Sequence, residues 1–327
     1  LFLLDAYALI YRAYYAFIRT PRINSKGLNT SAILGFCNTL NEIINKEHPT
    51  HIGVAFDHGK TFRHEAFPEY KAQREETPED IKLSVPIIKE LLTAFNIPIF
   101  QCDGFEADDV IGTLATKAGA MGIETYMLTP DKDYGQLVTE NVFIYRPRHG
   151  GGYDIIGAGQ IEEKYGIKSP AQVIDLLALM GDKADNFPGC PGVGEKTAVK
   201  LINDFGSVEE LISRSAEVKG KLREKIVAAA DDIRMSKFLA TIRTDVPIEL
   251  NLDSLRLVEP DKEKLSSLFA ELEFKTLADK FLNKGEKKQK TDNIQLSLFE
   301  EFPTNGQDES ENSILASLKT TPHEYKL

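Results

Sequence analysis

Short apolar runs alternate with helix-period segments through the first half of the chain. That alternation restricts it to a parallel sheet with helices on its faces. Residues 1–4 (LFLL), 52–56 (IGVAF), 97–100 (IPIF) and 125–128 (TYML) read as buried strands. Residues 7–17 and 30–46 read as helices, the second with Ile33, Leu34, Cys37, Leu40, Ile43 and Ile44 at helical spacing. Strands alternating with helices define an α/β class. Ligands of such sheets bind beyond the carboxyl ends of the strands.

Acidic residues gather at those ends. Asp5 follows LFLL, Asp57 follows VAF, Glu106, Asp108 and Asp109 sit in GFEADD, Asp131 and Asp133 in TPDKD, and Asp182 and Asp185 in GDKADN. An unpaired carboxylate near an apolar core is penalised by desolvation. One acid at a helix start is ordinary dipole complementation, worth tenths of a kcal/mol. Capping needs one acid rather than three, however, and the grouping recurs five times. The set points to hard divalent cations with oxygen ligands, Mg²⁺ or Mn²⁺.

Composition sets the wider limits. With 327 residues, 42% hydrophobic and 27% charged, the chain has the makeup of a soluble globular protein of one or two domains. No apolar run is long enough to span a bilayer, so no membrane role is expected. Three isolated cysteines, Cys37, Cys102 and Cys190, have no zinc-ligand spacing and suit a reducing cytoplasm. The net charge of −11 counts against nucleic-acid binding. Metal would offset part of it, and Lys60, Arg63, Lys71 and Arg74 lie close together.

Two further segments carry chemistry. FRHEAFPEYKAQR supplies Arg63, Tyr70, Lys71 and Arg74, an aromatic ring to stack on a base beside cations for phosphate. Its flanking glutamates also suit a plain solvated helix. PGVGEKTAVKLI places Gly192 and Gly194 before a helix opening at Glu195 or Lys196, with Thr197 next. Backbone N–H groups there form a ready phosphate site. The alternative is an ordinary turn between two helices. His48, His51, His58, His64 and His149 show no triad or ligand spacing.

Residues 1–281 resemble the 5′-nuclease (flap endonuclease) domain of bacterial DNA polymerase I. The resemblance rests on DAYALIYRAYYAF, VAFD, TFRHEAFPEYKAQR, GFEADDVIGTLA, TPDKDYGQL, LMGDKADNFPG and PGVGEKTA, in family order and spacing. It implies a PIN-like, mostly parallel sheet over residues 1–170, with a helical arch near 60–84. A helix-hairpin-helix (H3TH) subdomain over 171–282, a flexible linker over 283–318 and the start of a following domain over 319–327 complete the expected order.

The resemblance also implies two-metal hydrolysis at 5′ flaps, nicks and RNA primers. Asp5, Asp57, Glu106, Asp108, Asp131, Asp133, Asp182 and Asp185 would hold the metals, with Asp109 the least secure of the nine. Lys71 and Arg74 would meet the scissile phosphate, and Arg63 and Tyr70 would contact DNA. Gly192, Gly194, Lys196 and Thr197 would grip the duplex with K⁺. Gln295, Leu296, Leu298 and Phe299, in QLSLF, are similar to a sliding-clamp-binding peptide. A monomer is expected, with a polymerase following it in the intact protein. Two places depart from the family: Ala6 stands where Gly is usual, and His58 where a small residue or Pro is usual. A free-standing nuclease, a PIN-type ribonuclease and a non-catalytic DNA-binding module are the competing readings.

Overall fold

The computed structural model describes residues 1–148 and 150–282. Six strands form one sheet: β1 (Phe2–Asp5), β2 (Ile52–Ala55), β3 (Ile99–Phe100), β4 (Thr125–Leu128), β5 (Val142–Pro147) and β6 (Tyr153–Ile156), in the order β3-β2-β1-β4-β5-β6. All neighbours are parallel except β5 and β6. The register sets Asp5 level with Ala55, so β1 and β2 end flush.

Helices α1 (Ala6–Ala16) and α2 (Ser31–Glu42) join β1 to β2; α3 (Phe62–Ala66) and α4 (Glu79–Ala94) join β2 to β3; α5 (Ala107–Ala120) joins β3 to β4. After β6 the described chain is helical: α6 (Ala158–Tyr165), α7 (Val173–Met180), α8 (Glu195–Phe205), α9 (Val208–Ser213), α10 (Lys221–Ala228) and α11 (Ala230–Ala240). It closes with α12 (Leu252–Leu255), α13 (Lys262–Glu271) and α14 (Lys275–Leu282).

Alternation along the strands divides the core. Phe2, Leu4 and Val54 face one side, where they pack with residues of α1, α2, α4, α13 and α14. Leu3, Met127 and Ile144 face the other, where α5, α7 and α11 contribute. The second cluster runs without a break from the sheet to the helical half, through Val110, Leu176, Ile202 and Ile233.

Two details differ from the sequence reading. The helix expected over 30–46 ends at Glu42, and residues Ile43–Glu47 wind into a π-turn before His48 at φ 47°. Strands β5 and β6 had no clear signal, because β6 is a half-exposed edge strand with no continuous apolar run. Its antiparallel pairing needs only a tight return through the glycines at 150–152 rather than a crossover helix.

Helix α1, which Asp5 opens, is seated on α2 through a very close approach. A Cβ added at Gly35 would stand 2.4 Å from the Ala13 Cβ. Gly35→Val should therefore destabilise the fold by about 1–3 kcal/mol through overpacking. Urea unfolding reads this out, and an unchanged midpoint would contradict the close packing of α1 on α2.

Candidate metal centre

The acids are positioned by element ends. Asp5 closes β1 and caps α1, its Oδ1 accepting the Ala8 N–H at 3.1 Å. Its Oδ2 accepts from the Tyr134 hydroxyl at 3.2 Å and the Thr129 hydroxyl at 3.4 Å. Asp57, just beyond β2, accepts the N–H of Ala107, the first residue of α5, at 2.7 Å. Glu106 is the N-cap residue of that helix, with Asp108 and Asp109 in its first turn. Asp131 follows β4 and accepts the Asp133 N–H at 2.9 Å. Asp182 and Asp185 occupy the loop leaving α7, where Asp182 accepts the Ala184 N–H at 2.6 Å. That loop closes only because Gly189 (φ +64°) lies where a Cβ would come within 2.2 Å of the Gly181 nitrogen.

Electrostatically these groups form one cluster. Burial pushes the Asp5 carboxyl up to about 7, and the charges of Asp57 and Asp131 add to the effect. Burial and the Asp131 charge push Asp133 up to about 8, with Asp182 and Asp185 adding their repulsion. Asp108 is raised well above the usual range by burial, then by Glu106 and Asp109. Glu106 goes the other way: burial alone would raise it, but the cations of Lys71 and Arg63 hold it below the ordinary value.

Protein cations stand among the carboxylates. The Lys71 ammonium is 2.9 and 3.0 Å from the two Glu106 oxygens and 4.0 Å from Asp185. Arg74 pairs with Asp185 and donates to the Ala184 carbonyl at 3.3 Å. Lys132 lies 3.2 Å from Asp182. The backbone reinforces this arrangement: Lys71 N–H donates to Asp185 O at 3.0 Å, Gln73 Nε2 to Lys183 O at 2.8 Å and Asn186 Nδ2 to Glu69 O at 2.7 Å. The segment expected to arch over the site is thus fastened to the 182–186 loop.

Among the described residues no three His, Cys, Asp or Glu side chains converge as a finished metal cage. The chemistry of the donors nevertheless fits a hard cation. Every candidate ligand is a carboxylate, and the buried Asp133 Oδ1 has no hydrogen-bond partner. A divalent ion would supply that oxygen with a partner and relieve the repulsion that raises Asp5, Asp108 and Asp133.

Three expected site residues have their side chains engaged inside the protein. Asp109 was expected among the metal ligands, yet it is fully buried and all its acceptor positions are taken. It accepts from Arg63 Nη1 at 2.7 Å, Arg63 Nη2 at 2.8 Å, Arg243 N at 2.8 Å and Glu106 N at 3.1 Å. Arg63 was expected on DNA, but its guanidinium is spent on Asp109 and on the carbonyls of Leu239 (2.9 Å) and Thr241 (2.8 Å). Tyr70 was expected to stack on a base, but it is 2% exposed and its hydroxyl donates to Glu106 at 3.1 Å. A ring and a fork in that segment look alike in sequence whether they face DNA or the core.

The hairpin residues Gly192, Gly194, Lys196 and Thr197 lie around the start of α8, where Thr197 N–H donates to Gly194 O at 3.0 Å. Among the described residues, no hydrogen bond or ion pair joins them to the acids. Gln295, Leu296, Leu298 and Phe299 lie outside the described residues, as do the expected linker and following domain. Sequence reasoning missed Thr129, Lys132, Tyr134 and Gln136, which brace Asp5, Asp182 and Asp133. Their signal lay inside the LTPDKDYGQL stretch, where only the acids were singled out.

Residues 1–166 match the model of a 5′-3′ exonuclease N-terminal resolvase-like domain, and residues 168–263 that of a 5′-3′ exonuclease C-terminal SAM fold. DNA polymerase I of Bacillus caldotenax is 42% identical over 294 residues, covering 89% of this chain and 33% of that protein. The chain thus spans about a third of the polymerase relatives it matches. A 5′-3′ exonuclease of Aquifex aeolicus (strain VF5) is 38% identical over 278 residues, covering 85% of this chain and 93% of that one.

In fold, the chain is similar to T5 5′-exonuclease with bound zinc, with a TM-score of 0.64 at 22% identity over 84% of this chain and 98% of that one. It is also similar to the catalytic core of Rad2 in complex with DNA substrate, with a TM-score of 0.59 at 18% identity over 86% and 91%. The matched models cover most of the described chain, and the Aquifex relative is matched along nearly its whole length; this chain belongs to the 5′-3′ exonuclease family.

Proposed function

We propose that the chain hydrolyses phosphodiesters at the 5′ ends of structured DNA: flaps, nicks and RNA primers. In this reading it forms the N-terminal part of a cytoplasmic DNA polymerase I active in repair and lagging-strand replication. One observation carries the proposal: acids from the strand ends, the α5 start and the loop after α7 act on one another electrostatically, and Lys71 and Arg74 rest on two of them, Glu106 and Asp185. Asp5, Asp57, Glu106, Asp108, Asp131, Asp133, Asp182 and Asp185 would hold Mg²⁺ or Mn²⁺, directly or through water. Two such ions, when bound, activate a water and stabilise the leaving 3′ oxygen of an in-line displacement.

The chain's own residues do the rest. Lys71 and Arg74, now on Glu106 and Asp185, transfer to the scissile phosphate and neutralise charge that builds on it during attack. Tyr70 keeps its hydroxyl on Glu106 and so fixes that carboxylate while Lys71 leaves it. Tyr134 and Thr129 hold one oxygen of Asp5 in place. Helix α8 and its hairpin would grip the duplex through Lys196 and backbone N–H groups, with K⁺ as a bridging ion. The working form would be a monomer, with QLSLF as a clamp-binding peptide. Unlike a PIN-type ribonuclease, which takes RNA alone, this enzyme would cut flaps made wholly of DNA.

Asp131→Ala should abolish Mg²⁺-dependent cleavage of a 5′-flap duplex while flap binding persists. Full cleavage by that variant would sink the assignment.

The raised carboxyls also set a pH dependence. Asp5 and Asp133 hold protons up to about 7 and about 8, so metal must displace protons below those values. The Mg²⁺ concentration giving half-maximal cleavage should fall as pH rises through that range. Stability without metal should move the opposite way. Groups whose pKa is raised by folding favour the folded state below their unfolded value near 4, and that advantage is lost as pH rises towards 8. Melting curves in chelator and in Mg²⁺, recorded across pH, test both signs; a metal requirement independent of pH would contradict this reading.

A further inference from the structure

Beyond the acids, the arch and the hairpin, one element is held by buried side chains that lie next to the acids. Residues 239–243, the exit of α11, form a short strap between the helical half and the sheet. Arg63 grips one side of it, donating Nε to Leu239 O at 2.9 Å and Nη2 to Thr241 O at 2.8 Å. Asp109 accepts the Arg243 N–H at 2.8 Å, and Thr113 donates to Arg243 O at 3.3 Å. Gln136 grips the other side, donating Nε2 to Ala240 O at 2.9 Å and accepting the Ile242 N–H on Oε1 at 2.9 Å.

Three of these residues, Arg63, Asp109 and Gln136, also reach a residue that faces the metal. Arg63 lies 3.5 Å from Glu106 Oε2, and Asp109 accepts the Glu106 N–H. Gln136 Nε2 also donates to the Asp133 carbonyl at 3.0 Å. Helix α11 touches the remaining acid loop through Ser236, whose hydroxyl accepts the Gly189 N–H at 2.9 Å. It is tied to α7 by the Lys237–Asp175 ion pair at 2.8 Å.

We infer that the 239–243 strap is a positioning element, through which Arg63, Asp109 and Gln136 fix the metal-facing acids in register with the helices that hold the duplex. The chemistry of the grips supports this. Arg63 places all its N–H donors on four acceptor groups in a fixed planar fork, so the strap carbonyls and the α5 start cannot shift independently. The Gln136 amide bonds the strap as a neighbouring strand would, with one donor and one acceptor, and uses its second N–H for the Asp133 backbone. All three are buried, so they act through Glu106 and Asp133. Residues that orient metal ligands in this way typically contribute 10–100-fold to metal affinity or activity.

The inference rests on the nuclease reading, and its test separates the two. Gln136→Leu removes one grip, and Arg63→Lys keeps the charge but loses the fork. Each variant is melted in chelator, titrated with a 5′-flap duplex in chelator, and assayed for single-turnover cleavage across Mg²⁺ concentrations. Flap affinity should match that of the wild type, the single-turnover rate should fall about tenfold or more, and the half-saturating Mg²⁺ should rise about tenfold. A folded variant that binds flap and cleaves with the wild-type rate and Mg²⁺ dependence would overturn the positioning role. Absence of cleavage by the wild type would strike the nuclease reading instead.

Hydrogen exchange on the wild type decides the matter if both variants unfold. The Ile242 and Arg243 amides should exchange slowly, and more slowly still once Mg²⁺ is added. Fast exchange, or exchange indifferent to metal, would overturn the inference.

Discussion

Repulsion among carboxylates governs this molecule. A parallel α/β sheet brings strand ends and helix starts to one edge, and here the sequence places acids at nearly all of them. Such a group is unstable unless positive charge enters it. Arg63 is buried beneath the cluster as permanent charge, while Lys71, Arg74 and Lys132 lie on its surface. Burial class separates these roles. The Arg63 side chain is 1% exposed, whereas that of Arg74 is 52% exposed.

The same constraint explains why the acids divide into two kinds. Asp109 meets its charge requirement inside the protein, with four donors around one carboxylate, and has nothing left for metal. Asp133 is the opposite case, a buried oxygen with no partner and a carboxyl that keeps its proton to about 8. Acids of identical type thus differ in whether the protein itself satisfies their oxygens. Substituting Arg63 alone would strand the Asp109 charge in the core, which makes that pair a fixed point for everything built on it.

Much of this was legible in the sequence. Strands β1, β2, β3 and β4 and the helix after Asp5 follow from apolar runs and period, and the nine acids were visible as a set. What period and spacing could not supply was direction. Arg63, Tyr70, Lys71 and Arg74 lie within one short segment, yet two turn inward and two stay near the surface. The difference is made by partners distant in sequence: Leu239 and Thr241 for Arg63, Glu106 for Tyr70. The strap at 239–243 was invisible for the same reason, since its role is carried by backbone groups that have no sequence signature. Strand β6 went unread because an edge strand needs no continuous apolar run.

The central claim is that these carboxylates hold divalent cations that replace internal positive charge. Counting bound Mn²⁺ by paramagnetic resonance, with Mg²⁺ as competitor, tests it most directly. About two saturable sites per chain are expected, displaced by Mg²⁺ and weakened by Asp133→Asn. Absence of saturable Mn²⁺ binding by the folded wild type, or binding unchanged in Asp133→Asn, would contradict it.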